Sequence, residues 1–286
     1  MHHDNDRYGP WAIVTGASQG IGEGFARALA AKGCDLVLVS RRASRLETLA
    51  SDLRATFGIQ TRVVAADLSQ AGSGRAVMDA VDDLDVGLLV SNAGGAHMGG
   101  FLQTTIEHLA ADLTLNARSH LELTHAFAGR LRGRGRGGGI LLVSSTAALQ
   151  PMALGANYSA AKAYLLNLGE SIHRELSAVD IDVTVLLPGP TNTQGLNDRN
   201  DIAMGKLPMT AMPVAQLVEE GLTALHARRS SHVAGALNRW STRLLPRRLS
   251  AWMYSTLLRR NAAPALLPTA PMALSAAPSK RSHHVA

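Results

Sequence analysis

The chain has one cysteine, Cys34, so no disulfide can form within it, and that count fits a reducing compartment. Cys34 precedes an apolar run, where a small buried side chain is its ordinary role. No stretch of about 18 apolar residues occurs, so no segment reads as a membrane-spanning helix. Residues 1–7 are polar where a secretory signal needs an apolar core, and a cytoplasmic protein is expected. Acidic residues are missing from 239–286, which carries eight Lys and Arg. Removing those eight charges from the net +6 leaves the rest of the chain at −2. A basic tail on a slightly acidic body is not the basic stripe or groove that a phosphate backbone requires, which argues against a nucleic-acid partner.

What is present is an apolar, globular composition, 46% hydrophobic and 17% charged, with enough material for a sizeable core. Residues 11–14, 35–39, 62–66, 86–90, 140–144, 181–187 and 231–235 read as short apolar strands. Helical spacing fills 21–31, 44–57, 107–131, 158–178 and 213–227. Strands alternating with helices require right-handed crossovers and a parallel sheet covered on both faces. The fold expected is α/β: a single-domain, Rossmann-type doubly wound parallel sheet of about seven strands over residues 8–238. A substrate lid at 190–213 belongs to that domain, a basic amphipathic segment follows at 239–261, and 262–286 reads as disordered. The glycine-rich stretch 132–139 reads as a loop with solvated arginines.

Between the first strand and the first helix lies Thr15-Gly16-Ala17-Ser18-Gln19-Gly20-Ile21-Gly22. Glycine lets the chain turn sharply and approach a pyrophosphate, and the helix N-terminus offers free N–H groups and partial positive charge. This spacing resembles the short-chain dehydrogenase/reductase family in its single-domain branch. Further matches follow in the family's order. Asn92-Ala93-Gly94 comes after the fourth strand, Ser145 lies thirteen residues before Tyr158, and Tyr158-Ser-Ala-Ala-Lys162 keeps the Tyr-x-x-x-Lys spacing. Pro188-Gly189-x-x-x-Thr193 follows the sixth strand. The resemblance covers roughly residues 9–238. It implies cofactor contacts at Gly16, Ser18, Gln19, Gly20, Ile21, Gly22, Asn92, Ala93, Gly94, Pro188, Gly189, Thr191 and Thr193, with Asp67 and Leu68 at the adenine. It also implies a homodimer or homotetramer. Ser91 stands where the family often has the first of two asparagines, and some loss of hydrogen bonding is expected there.

Carbonyl reduction needs a hydride donor, a proton donor and support for the developing alkoxide. A free tyrosine titrates near 10, and a neighbouring ammonium favours its phenolate. Tyr158 and Lys162 are four apart on a predicted helix and share a face. The resemblance implies that Tyr158 gives or takes the proton, while Lys162 lowers its pKa and holds the nicotinamide ribose. It further implies that Ser145, with Ser144 as the adjacent hydroxyl, bonds the carbonyl oxygen and that Asn116 positions a relay water.

The strand at 35–39 ends in Ser40-Arg41-Arg42. A carboxylate there would accept from ribose hydroxyls and repel a 2′-phosphate, whereas an arginine pairs with that phosphate. The cofactor expected is NADP(H), contacted by Ser40, Arg41 and Arg42, with one of the two arginines merely opening a solvated helix. No metal is expected. In the lid, Met204, Leu207, Met209 and Met212 suggest an apolar lining. His97 and Met98 face the same pocket, but His97, a lone loop histidine, is left outside the site. The Tyr8-Gly-Pro-Trp11 start, the Ser40-Arg-Arg turn and the Val-Ala-Gly near 235 are similar to bacterial hydroxysteroid dehydrogenases and related acyl-ketone reductases. A bulky hydrophobic carbonyl or alcohol substrate follows from that resemblance. The tail has three open roles: an anionic membrane surface, a cap on the pocket, or a second subunit. Two rival functions are a dinucleotide-binding regulator, which loss of Tyr158 or Lys162 would favour, and a membrane-surface protein acting through the tail.

Overall fold

In the computed structural model, which describes residues 7–197 and 211–267, seven strands form one parallel sheet. They are β1 Trp11–Thr15, β2 Asp35–Ser40, β3 Thr61–Ala65, β4 Val86–Ser91, β5 Gly138–Val143, β6 Ile181–Leu187 and β7 Ser231–Val233. Their order across the sheet is β3-β2-β1-β4-β5-β6-β7. Consecutive side chains point to opposite faces, and the two faces are buried by separate apolar clusters. Leu36 and Leu38 pack with Phe25 and Leu217 on one side. Val37 and Val39 lie in the other cluster with Phe127 and Leu142. Burial on both faces is why these strands read as continuous apolar runs rather than alternating ones.

The covering helices are α1 Gly20–Ala30, α2 Ala43–Phe57, α3 Ser73–Asp79, α4 Ile106–Leu113, α5 Ser119–Arg134, α6 Ala156–Ser177 and α7 Val214–His226. Strand order reverses between β1 and β4, and in open sheets of this kind ligands bind beyond the strand ends at that reversal. At the opposite end, the Tyr8 hydroxyl donates to Asp182 at 2.7 Å and Arg7 pairs with Asp180 and Asp182, fixing the first residues against β6.

The structure departs from the sequence reading in several places. α3 was not anticipated, because its seven residues carry too short a pattern to register. The single helix expected over 107–131 is α4 and α5 joined by a π turn at Thr114–Arg118. The arginines of 132–139 are not all solvated: Arg134, 8% exposed, pairs with Asp85 at 2.7 Å, and Arg136 pairs with the same carboxylate. The basic segment folds into two helices, α8 Ala236–Leu244 and α9 Arg247–Asn261, separated by Leu245 and Pro246. Residues 262–267 continue into a 3-10 turn at Pro264–Leu266. Met204, Leu207 and Met209 of the expected lid, and the tail beyond 267, lie outside the described residues.

Candidate active site

The glycine turn between β1 and α1 is built for close approach. Gly16 has φ +67°, and a Cβ there would lie 2.8 Å from Asn92 Nδ2. A Cβ on Gly22 would lie 2.3 Å from the Gly16 carbonyl oxygen, so a larger residue must push the turn open. Among the described residues no side chain caps the N-terminus of α1, leaving its first amides to meet an anion. Thr15, fully buried, ties this turn to the end of β4. Its hydroxyl accepts from Asn92 N at 2.8 Å and Ala93 N at 2.9 Å, while Asn92 Nδ2 donates to the Thr15 carbonyl at 2.9 Å.

The end of β4 is held, as expected, and Ser91 makes a side-chain bond of its own. Its hydroxyl lies 2.8 Å from His120 Nδ1, and His120 Nε2 lies 2.8 Å from the Ala93 carbonyl. Since a carbonyl only accepts, Nε2 carries the proton and Nδ1 accepts from Ser91. Burial, with Lys162 nearby, lowers the His120 imidazole to about 3, so the ring is neutral. Sequence reading missed His120, which is 27 residues from the carbonyl it supports.

Asn116 sits in the π turn, 1% exposed. Its Nδ2 donates to the carbonyls of Gly95 at 2.9 Å and Asp112 at 3.0 Å, and its Oδ1 accepts from Gly95 N at 3.2 Å. A π turn inside a helix is a frequent mark of a functional position. Across Gly94 lies Lys162: a Cβ on Gly94 would be 3.0 Å from Asn116 Oδ1 and 3.3 Å from Lys162 Nζ. Lys162, on α6, is 4% exposed, and its ammonium donates to the Val143 carbonyl at 3.1 Å. Burial lowers its pKa to about 8, which leaves it charged at neutral pH. Its Nζ stands 5.8 Å from the centroid of the half-buried Tyr158 ring, one turn earlier. Ser144 Oγ donates to the Lys162 carbonyl at 2.8 Å, holding α6 to the end of β5. The Ser145 hydroxyl accepts from Ala147 N at 3.1 Å and caps a 3-10 turn at Thr146–Leu149.

Many of these groups border a cleft of about 1080 Å³, but Ser145, Asn116 and His120 are not part of its wall. That volume is at the upper limit of the roughly 300–1,000 Å³ usual for small-ligand and cofactor clefts. Every cofactor residue expected from the sequence lines it except Gly22, which lies under the turn; the wall also includes Tyr158, Lys162 and Ser144. At the far end Ser40, Arg41 and Arg42 all line the wall. Arg42 Nη2 donates to Ser18 Oγ at 2.9 Å, and Arg45, not anticipated, donates to Gln19 Oε1 at 3.2 Å. Burial and the Arg45 and Arg41 charges press the Arg42 pKa downward, the mark of crowded positive charge. Asp67 stands 4.0 Å from Arg41. Burial pushes its carboxyl up, but the Ser69 hydroxyl and amide and the Arg41 charge outweigh that and hold it low.

The other end of the cleft is apolar, lined by Met98, Leu115, Met152, Tyr254, Leu257 and Leu258. Three of these six come from α9, so the basic segment caps the pocket. α9 is pinned there by Ser255 Oγ, which accepts from Ala153 N at 3.1 Å. α8 packs so closely over Pro188-Gly189 that a Cβ on Gly189 would lie 2.4 Å from Asn238 Nδ2. Trp240 and Trp252 stay exposed on the outside. His97 also lines the cleft.

A long cleft at the reversal point of a doubly wound sheet, with an uncapped helix end at its middle and a Tyr–Lys pair beyond it, defines a dinucleotide-binding oxidoreductase of alcohol and ketone groups. The chain belongs to the short chain dehydrogenase family, which it matches over residues 10–202. It is 32% identical over 191 residues to a 7beta-hydroxysteroid dehydrogenase of Collinsella aerofaciens, spanning 67% of this chain and 72% of that one. Among solved structures it is similar to a short-chain dehydrogenase from Sphingobium yanoikuyae in complex with NADPH. That likeness has a TM-score of 0.74 and 34% identity, over 81% of this chain and 91% of the other. A bulky-bulky ketone specific alcohol dehydrogenase from Comamonas testosteroni gives a TM-score of 0.71 at 29% identity, over 91% and 99% of the two chains. Among the described residues no helix is long and apolar enough to cross a membrane.

Proposed function

We propose that this protein moves a hydride between NADP(H) and a bulky hydrophobic ketone or secondary alcohol, with Tyr158 as general acid and base. The observation that carries the reading is the buried Lys162 ammonium 5.8 Å from the Tyr158 ring, both in the wall of the cleft. The cradle suits a dinucleotide: Gly16, Gly20 and Gly94 line it, and a Cβ on each would press on Asn92, Thr193 and Asn116 respectively. When bound, it supplies or accepts the hydride. The chain does the rest. Tyr158 gives its phenolic proton to the substrate oxygen during reduction and takes it back during oxidation. The Lys162 ammonium stabilises the phenolate left behind. Ser145 donates to the substrate oxygen. Asn116 holds the Gly95 backbone and keeps one Oδ1 lone pair for a relay water, since both its N–H groups are committed.

Ser40, Arg41 and Arg42 at the end of β2, with Arg45 close by on α2, favour a 2′-phosphate over a bare ribose, and the NADPH-bound relative supports that choice. The apolar end under α9 and the ketone- and steroid-directed relatives support a bulky substrate. The reading includes a cytoplasmic homodimer or homotetramer. Following cofactor consumption across steroid ketones, 3-ketoacyl thioesters and small aldehydes, with NADPH and NADH in parallel, tests it. The expected result is turnover of a bulky ketone with NADPH preferred at least tenfold, about 1.4 kcal/mol in transition-state terms. Oxidation of neither nucleotide with any compound would overturn the reading.

A further inference from the structure

His97 is alone in the sequence but not in space. α4 brings the His108 ring to it, with centroids 4.1 Å apart and planes tilted at 52°. Asp112, one turn further along α4, places Oδ2 3.7 Å from His108 Nε2. One nitrogen or oxygen from each of the three lies within 4.8 Å of the others. Among the described residues this is the group of histidine and carboxylate side chains that converges in this way.

Two imidazoles and a carboxylate are ordinary ligands for a zinc-class divalent ion, with bonds of about 2.0–2.2 Å and a tetrahedral arrangement completed by water. Such bonds set neighbouring ligand atoms roughly 3.3 Å apart, so the group must contract by up to about 1.5 Å, within reach of side-chain rotation. His108 and Asp112 share one helix face, four residues apart, as metal-binding pairs on helices do. Both imidazoles are exposed and Asp112 is partly so, which gives the ion an entry path and a position open to solvent. We propose that His97, His108 and Asp112 bind a Zn²⁺-class ion at the mouth of the substrate cleft.

The ion takes no part in the hydride step, and the site stands whether or not the substrate reading does. Its placement makes it a clamp. His97 lies two residues beyond Gly95, whose backbone Asn116 holds on both sides, and Asn116 Nδ2 also donates to the Asp112 carbonyl. An ion on His97 and Asp112 therefore joins the two segments that Asn116 already bridges. It also fixes the cleft-lining loop against α4.

Titrating the metal-free full-length protein with Co²⁺ tests this, because a tetrahedral Co²⁺ site absorbs in the visible range and Zn²⁺ displaces it. One such ion per chain is expected, and His97→Ala, His108→Ala and Asp112→Asn should each weaken binding at least tenfold, with unchanged circular dichroism. Absence of a saturable band in the wild type at micromolar Co²⁺ would overturn the proposal. So would the same band, at the same affinity, in the His97→Ala/His108→Ala double variant, since the ion would then sit elsewhere.

Discussion

Ser91 and His120 form a two-residue bridge, Ser91 hydroxyl to imidazole to Ala93 carbonyl, closed by bonds of 2.8 Å and 2.8 Å. The bridge has a signature in pH. Burial holds the folded imidazole at about 3 against 6.5 for the free ring. Below pH 6.5 the unfolded chain takes up a proton that the folded chain refuses, so the native state loses stability as pH falls from 6.5 toward 3. His120→Leu should cost about 1–3 kcal/mol at pH 7, because it strands a buried hydroxyl and carbonyl. In urea titrations at a series of pH values, the variant's stability should fall less than the wild type's on the way to pH 4. Parallel curves would show that His120 is not the source of the acid sensitivity. Little of this was legible in the sequence. Ser91 stood out as a departure, but its partner lies 29 residues away on another element. The pairing of Arg134 and Arg136 with Asp85 escaped for the same reason: residues 49 and 51 apart meet only after folding.

At the scale of elements, alternation of apolar runs and helical spacing made all seven strands and the principal covering helices legible. What periodicity could not show was the π turn. Helical spacing runs on across it, and the extra residue that turns Asn116 inward leaves no gap in the pattern. Likewise the basic, tryptophan-bearing segment after β7 could have faced lipid, a second subunit or the pocket, and only packing decides. The hinge of that cap is Glu220 on α7. Its Oε2 accepts from Arg239 Nη1 at 2.7 Å, His232 Nε2 at 2.8 Å and Gly235 N at 3.1 Å. Burial pushes the carboxyl up, but bonds from His232, Gly235 and Arg239 outweigh that and hold it down at about 2. Glu220→Gln keeps the shape and removes the charge, so the charge-assisted bonds to Arg239 and the start of α8 weaken. A destabilisation of about 1–3 kcal/mol is expected in thermal melts. KM for a bulky ketone should rise severalfold, with kcat for a small ketone unchanged. Equal KM values for the bulky ketone in wild type and variant would detach α8 and α9 from substrate binding.

Across the whole molecule, the sheet reversal between β1 and β4 gathers the chemistry. The glycine turn comes from the first crossover, the arginines from the end of β2, Asn92 from β4, and Asn116 from the π turn. The Tyr–Lys pair comes from α6, Pro188-Gly189 from β6, and the apolar cap from α9. Register in the sequence was enough to find most of that set, because each motif follows a strand that must end at the same edge. The cap and the His97 neighbourhood came only from tertiary packing. The claim on which the whole account turns is that Tyr158 moves the proton while the rest of the cleft holds the dinucleotide. Tyr158→Phe removes one hydroxyl and keeps the ring, so the variant should bind NADPH within a few-fold of wild type by fluorescence titration. Its kcat should fall by about 10²-fold or more, as loss of a general acid does. Undiminished turnover in Tyr158→Phe, with NADPH still bound, would contradict the account.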